Sequence, residues 1–362
     1  LRLPSPRLLI AGCALGAVAV ASGVAVAATS DSKPQRAASA GAQTTADPDA
    51  RAEIFKLPQD STEVERFWTP AAIRAAEHRQ PRAAAFPAAA PQIRALNDGP
   101  SLQGAPTLPE DSAEPLSAQS AGVSAKAVTT ARQWTRHGKP PARTVGKLFF
   151  ADEKGNKYSC SAAVITAKNK RTVWTAGHCV HKGKGGEKGY YRNFLFRPDY
   201  KDGKSYGKWY ADSIVALPGW KTKGDARYDI AAFTVKKYRG KGIQYYTGSQ
   251  GYAFNYKGRK YSSYSFGYPA RALPSKKPMN SNRLWYCSGR TFAVNYGGGS
   301  TGLGLKCTMG NGASGGPWIA GMKKNGLGRI FGINSMHNLK NLNMYSPYHG
   351  SAAVSVYKKI SG

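Results

Sequence analysis

A chain of 362 residues has room for one or two folded modules plus flanking segments. Its net charge is +32, from 52 Lys+Arg against 20 Asp+Glu, and no acidic residue lies beyond Asp229, which excludes any catalytic carboxylate from the chain after that point. The excess is uneven: the first 140 residues hold 15 basic and 12 acidic side chains, the rest 37 and 8. Such a field suits anionic partners such as cell-wall polymers, nucleic acid or acidic substrates, although a basic, well-solvated surface has the same composition.

Residues 1–27 read as an export signal. Arg2 and Arg7 precede an apolar run from Leu8 to Val26, and Ala25-Val26-Ala27 is an A-x-A cleavage site. Two rival readings are a retained transmembrane helix and a lipoprotein signal at Ile10-Ala11-Gly12-Cys13. The A-x-A ending and the polar residues after it favour removal, so no stable membrane insertion is expected.

Residues 28–140 are rich in Ala, Pro, Ser and Gln, a composition that buries little core. One island is more ordered. Thr62-Glu63-Val64-Glu65 is a capping-box pattern, and Thr69-Pro70 predicts a short helix through Glu77. The region reads as a largely irregular propeptide that assists folding or covers an active site; a plain linker is the alternative.

From residue 141 the texture is all-β. Apolar and aromatic runs recur between turn residues: Thr144–Phe150, Tyr158–Ile165, Arg171–Trp174, Ile230–Val235, Ser262–Gly267, Leu284–Cys287, Arg290–Val294 and Arg329–Ile333. Short strands at this spacing predict a sandwich or barrel module over 141–362. Gly350–Ile360 is expected to end in a short helix. Four cysteines remain after the signal: Cys160, Cys179, Cys287 and Cys307. In an exported chain they imply disulfides, with three possible pairings. Local pairing is the most economical, each bridge closing a loop of about twenty residues and contributing roughly 3 kcal/mol. The spacings lack C-x-x-C and C-x-x-H units, so no metal site is expected, and no cofactor motif is present.

The chemistry concentrates in three places. Gly310-Asn311-Gly312-Ala313-Ser314-Gly315-Gly316-Pro317-Trp318 sets a serine among glycines, which let a backbone turn tightly and approach a substrate. Thr175-Ala176-Gly177-His178-Cys179 presents a histidine after a strand-like run and beside a cysteine. Asp229 precedes the alternating run Ile230–Val235 and is better placed to be held inward than Asp225, which reads as solvated. Gly312-x-Ser314-x-Gly316 also matches the nucleophile elbow of α/β-hydrolases, but that fold requires an acid after the serine and none exists. The order His178, Asp229, Ser314 remains.

In that order and spacing, Thr-Ala-Gly-His-Cys, Asp-Ile-Ala and Gly-Ala-Ser-Gly-Gly-Pro-Trp resemble the chymotrypsin-like serine peptidases, with the simple serine loop and long pro-region of the secreted bacterial branch related to glutamyl endopeptidases. The resemblance covers about 141–362. It implies two six-stranded Greek-key β-barrels, a triad of His178, Asp229 and Ser314, and an oxyanion hole from the N–H groups of Gly312 and Ser314. Cys160 and Cys179 bracket the histidine as the family's first disulfide does. Thr308 and Met309 are expected near the floor of the primary pocket, with Asn334 and Ser335 along a wall. None is acidic, so a trypsin-like preference lacks its counter-charge. The histidine that glutamyl endopeptidases carry in this wall is matched by Asn334, with His337 three residues on. Ala313 replaces the aspartate that pairs with the new N-terminus in animal members, so that ionic switch is absent. The expected function is a secreted, monomeric serine endopeptidase acting on polypeptides. The alternative is a catalytically weak basic module that binds anionic polymers, with Lys, Arg and Tyr interleaved in Tyr190–Tyr210 and Tyr252–Tyr268.

Overall fold

The computed structural model describes residues 47–77, 79–81, 99–110, 126–295, 301–338 and 340–362. The expected signal, residues 1–27, and Cys13 lie outside them. Among the described residues no helix is long and apolar enough to cross a membrane.

Six antiparallel strands close the first barrel. They are β4 (Val145–Ala151), β5 (Lys157–Val164), β6 (Thr172–Thr175), β7 (Arg192–Pro198), β8 (Trp209–Ala216) and β9 (Ala231–Val235), in the order β8-β7-β4-β5-β6-β9 with β9 returning to β8. Closure leaves few free edges. The interior is aromatic: Phe150, Phe194, Phe196 and Phe233 are fully buried, while Phe149 and Trp174 are buried on the outer face, against Trp68 and Tyr200 and against Phe254 and His349. One buried residue of β4 is Lys147, whose Nζ donates to Ser281 O at 2.8 Å; burial pushes its pKa down to about 7.

The second lobe is built of two sheets. One contains β10 (Gly251–Phe254), β11 (Ser262–Gly267), β12 (Trp285–Arg290), β15 (Pro317–Ala320) and β16 (Arg329–Ile333). The other contains β13 (Phe292–Asn295), β14 (Thr301–Lys306), β17 (Met336–His337) and β18 (Asn343–Ser346). The disulfide Cys287–Cys307 joins them, and Cys160–Cys179 lies in the first barrel, the expected local pairing in both cases. The C-terminal helix, Ser351–Ile360, buries Ala352, Ala353, Val356 and Ile360, as its amphipathic pattern predicts.

The described residues before 141 are more regular than their composition predicts. β1 (Glu53–Lys56) adds to the barrel at β8, β2 (Leu102–Gly104) pairs with β10, and β3 (Val128–Gln133) pairs with β12. Helices α1 (Ser61–Phe67) and α2 (Pro70–Glu77) fall at the predicted island. Asp60 caps α1 by accepting from Thr62 N–H at 2.7 Å, and Thr69 Oγ1 caps α2 by accepting from Ala72 N–H at 3.2 Å. This segment meets the basic barrel with acids: Asp49 pairs with Lys223, Glu53 with Lys221, Glu65 with Lys208 and Glu110 with Lys170. Trp68 anchors it by donating from Nε1 to Asn193 O at 2.6 Å.

Candidate active site

Strand pairing delivers His178 and Asp229 to one place. β6 and β9 align Thr175 with Ala231. His178 follows Thr175 on the tight turn Gly177–Cys179, which the Cys160–Cys179 disulfide ties to β5. Asp229 ends the turn Ala226–Tyr228, capped by Asp225, which accepts from Arg227 N–H at 3.0 Å. Asp225 is thus a capping residue paired with Arg227, and only part-exposed. The Asp229 carboxylate is fully buried. Its Oδ1 accepts from His178 N–H at 2.7 Å, and its Oδ2 lies 2.8 Å from His178 Nδ1. A carboxylate only accepts, so Nδ1 carries a proton, and in the neutral ring Nε2 has the lone pair. Nε2 is buried and has no hydrogen-bond partner among the described residues. Trp220 stands edge-on to the ring at 6.2 Å. A ring nitrogen of His178 lies within 4.8 Å of the Cys160 and Cys179 sulfurs, but both are bound in the disulfide and offer no thiolate to a metal.

Ser314 sits in the loop from β14 to β15 and is partly exposed. The first barrel holds this loop through Ser161, whose N–H donates to Ser314 O at 2.7 Å and whose Oγ donates to Gly312 O at 2.8 Å. Gly312 and Gly315 have φ of +98° and +76°. A Cβ on Gly315 would lie 2.1 Å from Thr175 Oγ1 and 3.1 Å from Ala176 N, so the loop abuts the segment leading to His178. Among the described residues no backbone acceptor takes the N–H of Gly312 or of Ser314.

A cavity of about 220 Å³ opens beside Ser314. Of the expected pocket residues, Met309, Asn334 and Ser335 line it, and Thr308 does not. Thr308 Oγ1 instead accepts from Ala131 N–H of β3 at 2.8 Å. Ser335 turns its hydroxyl to Asp229 Oδ2. Asn334 is buried and faces the protein: Oδ1 accepts from Trp318 Nε1 at 2.6 Å and from Ser265 Oγ at 2.7 Å, while Nδ2 donates to Phe266 O at 2.9 Å and Ala313 O at 2.8 Å. His337 has Nδ1 3.0 Å from Asn338 O and Nε2 2.7 Å from Cys307 O. Burial pulls the His337 pKa down, against the raising effect of those carbonyls. Sequence reasoning missed Leu273, Met344 and the anchoring Ser161. Each belongs to a segment remote from the three motifs, without a local signature.

The N-terminal segment reaches the edge of this site. Ser159 N–H donates to Arg79 O at 3.2 Å, on the strand that two residues later carries Ser161.

No protein-family model and no curated protein matches the chain. Solved structures do. The chain is similar to protease Anisep from Arthrobacter nicotinovorans at 35% identity and a TM-score of 0.55, over 64% of this chain and 99% of that one. It is also similar to the thermostable serine protease AL20 from an extremophilic microorganism at 34% identity and a TM-score of 0.54, over 61% and 97%.

Proposed function

This chain belongs to the chymotrypsin-like serine proteases, and from that premise we propose that it is an exported endopeptidase whose triad is Ser314, His178 and Asp229. The observation that carries the reading is the buried His178–Asp229 pair, which leaves Nε2 of the neutral His178 ring with a lone pair and no partner among the described residues. His178 takes the Ser314 Oγ proton as Oγ attacks a peptide carbonyl. The N–H groups of Gly312 and Ser314 receive the oxyanion; one such donor is worth about 3 kcal/mol of barrier. His178 then protonates the leaving amine, and water, activated by the same nitrogen, hydrolyses the acyl-enzyme. No step calls for a metal or cofactor. Export is supported by the A-x-A signal at Ala25–Ala27 and the two disulfides. The region that precedes β3 acts as a propeptide. Its acids match the basic barrel, and its Arg79 carbonyl lies on the strand that holds the Ser314 loop. The product is a monomer acting on polypeptides.

The test is a phosphonate serine probe on the secreted product. Labelling that is lost in Ser314→Ala and kept in Ser300→Ala supports the reading; an unlabelled, folded wild type refutes it.

A second reading, a basic surface for anionic polymers, is favoured by the run Lys236–Lys241. There Tyr238 is 54% exposed and Arg239 lies 5.3 Å from its ring centroid. Salt-sensitive retention on teichoic acid or DNA, unchanged in Ser314→Ala, supports that surface.

A further inference from the structure

We propose that the cavity beside Ser314 selects a large apolar side chain on the acyl side of the scissile bond, of the Phe, Leu or Met class, and rejects Glu, Lys and Arg. This rests on the peptidase reading above and names its substrate class. The apolar lining is Leu273, Met309, Met336 and Met344. No carboxylate lines the cavity, and the sequence has none after Asp229, so a cationic side chain would enter without a counter-charge.

The buried polar side chains around the cavity are committed elsewhere, and the one other amide in the lining, Asn311, sits exposed at its rim. The Asn334 amide has two donors to it and two acceptors for it, all within the protein. The Ser335 hydroxyl goes to Asp229. Both His337 ring nitrogens are directed at main-chain carbonyls, so neither is turned to a carboxylate on a substrate. An anionic side chain would therefore lose its water with no partner in return. Apart from Asn311 at the rim and Ser314 itself, what remains is thioether and hydrocarbon. Methionine is unbranched and polarizable, adapts to aromatic and aliphatic shapes alike, and makes favourable contacts with ring edges. Three methionines around one cavity predict breadth within the apolar class rather than a single favoured residue.

The experiment uses the product secreted from the full-length chain and fluorogenic tetrapeptides that differ only in the residue before the cleaved bond. Phe, Leu and Met substrates are expected to exceed the Ala substrate in kcat/KM by at least about tenfold, and the Glu and Lys substrates by about a hundredfold. A Glu or Lys substrate within tenfold of the best apolar one overturns the inference. Met344→Phe narrows the cavity, and the preference is expected to move toward Ala; an unchanged profile in a folded, probe-labelled variant also counts against it. If that variant does not fold, the wild-type panel decides alone. The phosphonate probe separates the two levels. A protein that labels at Ser314 but prefers Glu or Lys retains the peptidase reading and loses this one. A folded protein that neither labels nor cleaves loses both.

Discussion

Asn334 Nδ2 donates to the carbonyl of Ala313 at 2.8 Å, so a neutral amide holds the residue before the nucleophile where animal relatives use an ion pair. The same residue's main chain completes the grip: Asn334 O accepts from Gly315 N–H at 2.7 Å, and Asn334 N–H donates to Gly316 O at 2.8 Å. The loop is therefore held from two sides, by Ser161 of the first barrel and by Asn334 of the second lobe, and neither contact is an ion pair. Asn334→Ala leaves the Phe266 carbonyl, the Trp318 N–H and the Ser265 hydroxyl without their side-chain partner, at roughly 1–3 kcal/mol for each buried group left unsatisfied. The Ala313 carbonyl keeps Gly316 N–H at 3.0 Å. The expected outcome is a lower melting temperature and a phosphonate labelling rate reduced at least about tenfold at temperatures where the variant is fully folded. Circular dichroism alongside labelling checks this. A folded variant labelling at the wild-type rate removes Asn334 from the positioning of the loop.

The outline of the fold was legible because its strands carry their own signals. Ser262–Gly267 and Arg329–Ile333 coincide with β11 and β16, and helix α2 ends at Glu77 as the Thr69-Pro70 start predicts. The strands that went unread have weaker patterns. β10 is four residues long, β14 is half glycine and lysine, and β7 and β8 lie in a stretch dense in charge and tyrosine. The three residues of the proposed triad stand out in the sequence by motif and order. Their supports do not, because these are side-chain hydrogen bonds between distant positions: Ser161 to the Ser314 loop, Ser265 to Asn334, and Thr308 to Ala131. Nothing local in the sequence marks a threonine that meets β3 rather than a substrate.

Ser335 is expected to position Asp229 rather than to meet substrate. Its Oγ donates to Asp229 Oδ2, the oxygen that also faces His178 Nδ1. Hydrogen bonds to charged groups contribute about 1.5–3 kcal/mol, so Ser335→Ala is expected to lower kcat/KM by about 10- to 100-fold. The loss should be similar for Phe, Leu and Ala substrates, because the only group removed is a hydroxyl directed at Asp229. Steady-state kinetics on those three substrates checks it. A loss confined to one substrate would instead assign Ser335 to side-chain recognition.

His349 gives folding stability an acid limb. Its Nε2 accepts from Trp174 Nε1 at 3.1 Å, its Nδ1 lies 3.1 Å from Pro347 O, and it is buried, so the neutral ring fits the site. Burial pulls its pKa down to about 4, against the raising effects of the Pro347 carbonyl and the Asp229 charge. The unfolded ring titrates near pH ~6.5, so the unfolded chain binds the proton first as pH falls. The contribution is therefore fully present above about pH 6.5 and is lost progressively down to about pH 4, by up to roughly 3 kcal/mol. Urea unfolding at several pH values, for wild type and His349→Phe, checks this. The variant is expected to be less stable at neutral pH, through loss of the Trp174 contact, and to show a shallower decline over the same range. Parallel curves for the two proteins would rule out His349 as the source, and subtracting one from the other removes the carboxylates that titrate lower.

The boundary of the functional module follows from Trp134. It is buried against Phe266 and Tyr286, edge-on to both at 5.4 Å between ring centroids, and its main-chain N–H donates to Leu284 O at 2.8 Å. The strand before it, β3, pairs with β12, and its Thr129 O accepts from Thr308 N–H at 3.0 Å. Processing at residue 141 would remove the strand, the tryptophan and the partner of Thr308. Loss of a buried tryptophan side chain alone costs about 3–5 kcal/mol, a large part of the stability of an ordinary domain. The mature chain is therefore expected to begin between Glu110 and Lys126, keeping β3 while releasing the segment that carries Arg79. N-terminal sequencing of the active product checks this, together with Trp134→Ala. That variant is expected to lower the melting temperature of the secreted product, and a mature N-terminus at or beyond residue 135 in an active, stable enzyme would contradict the argument.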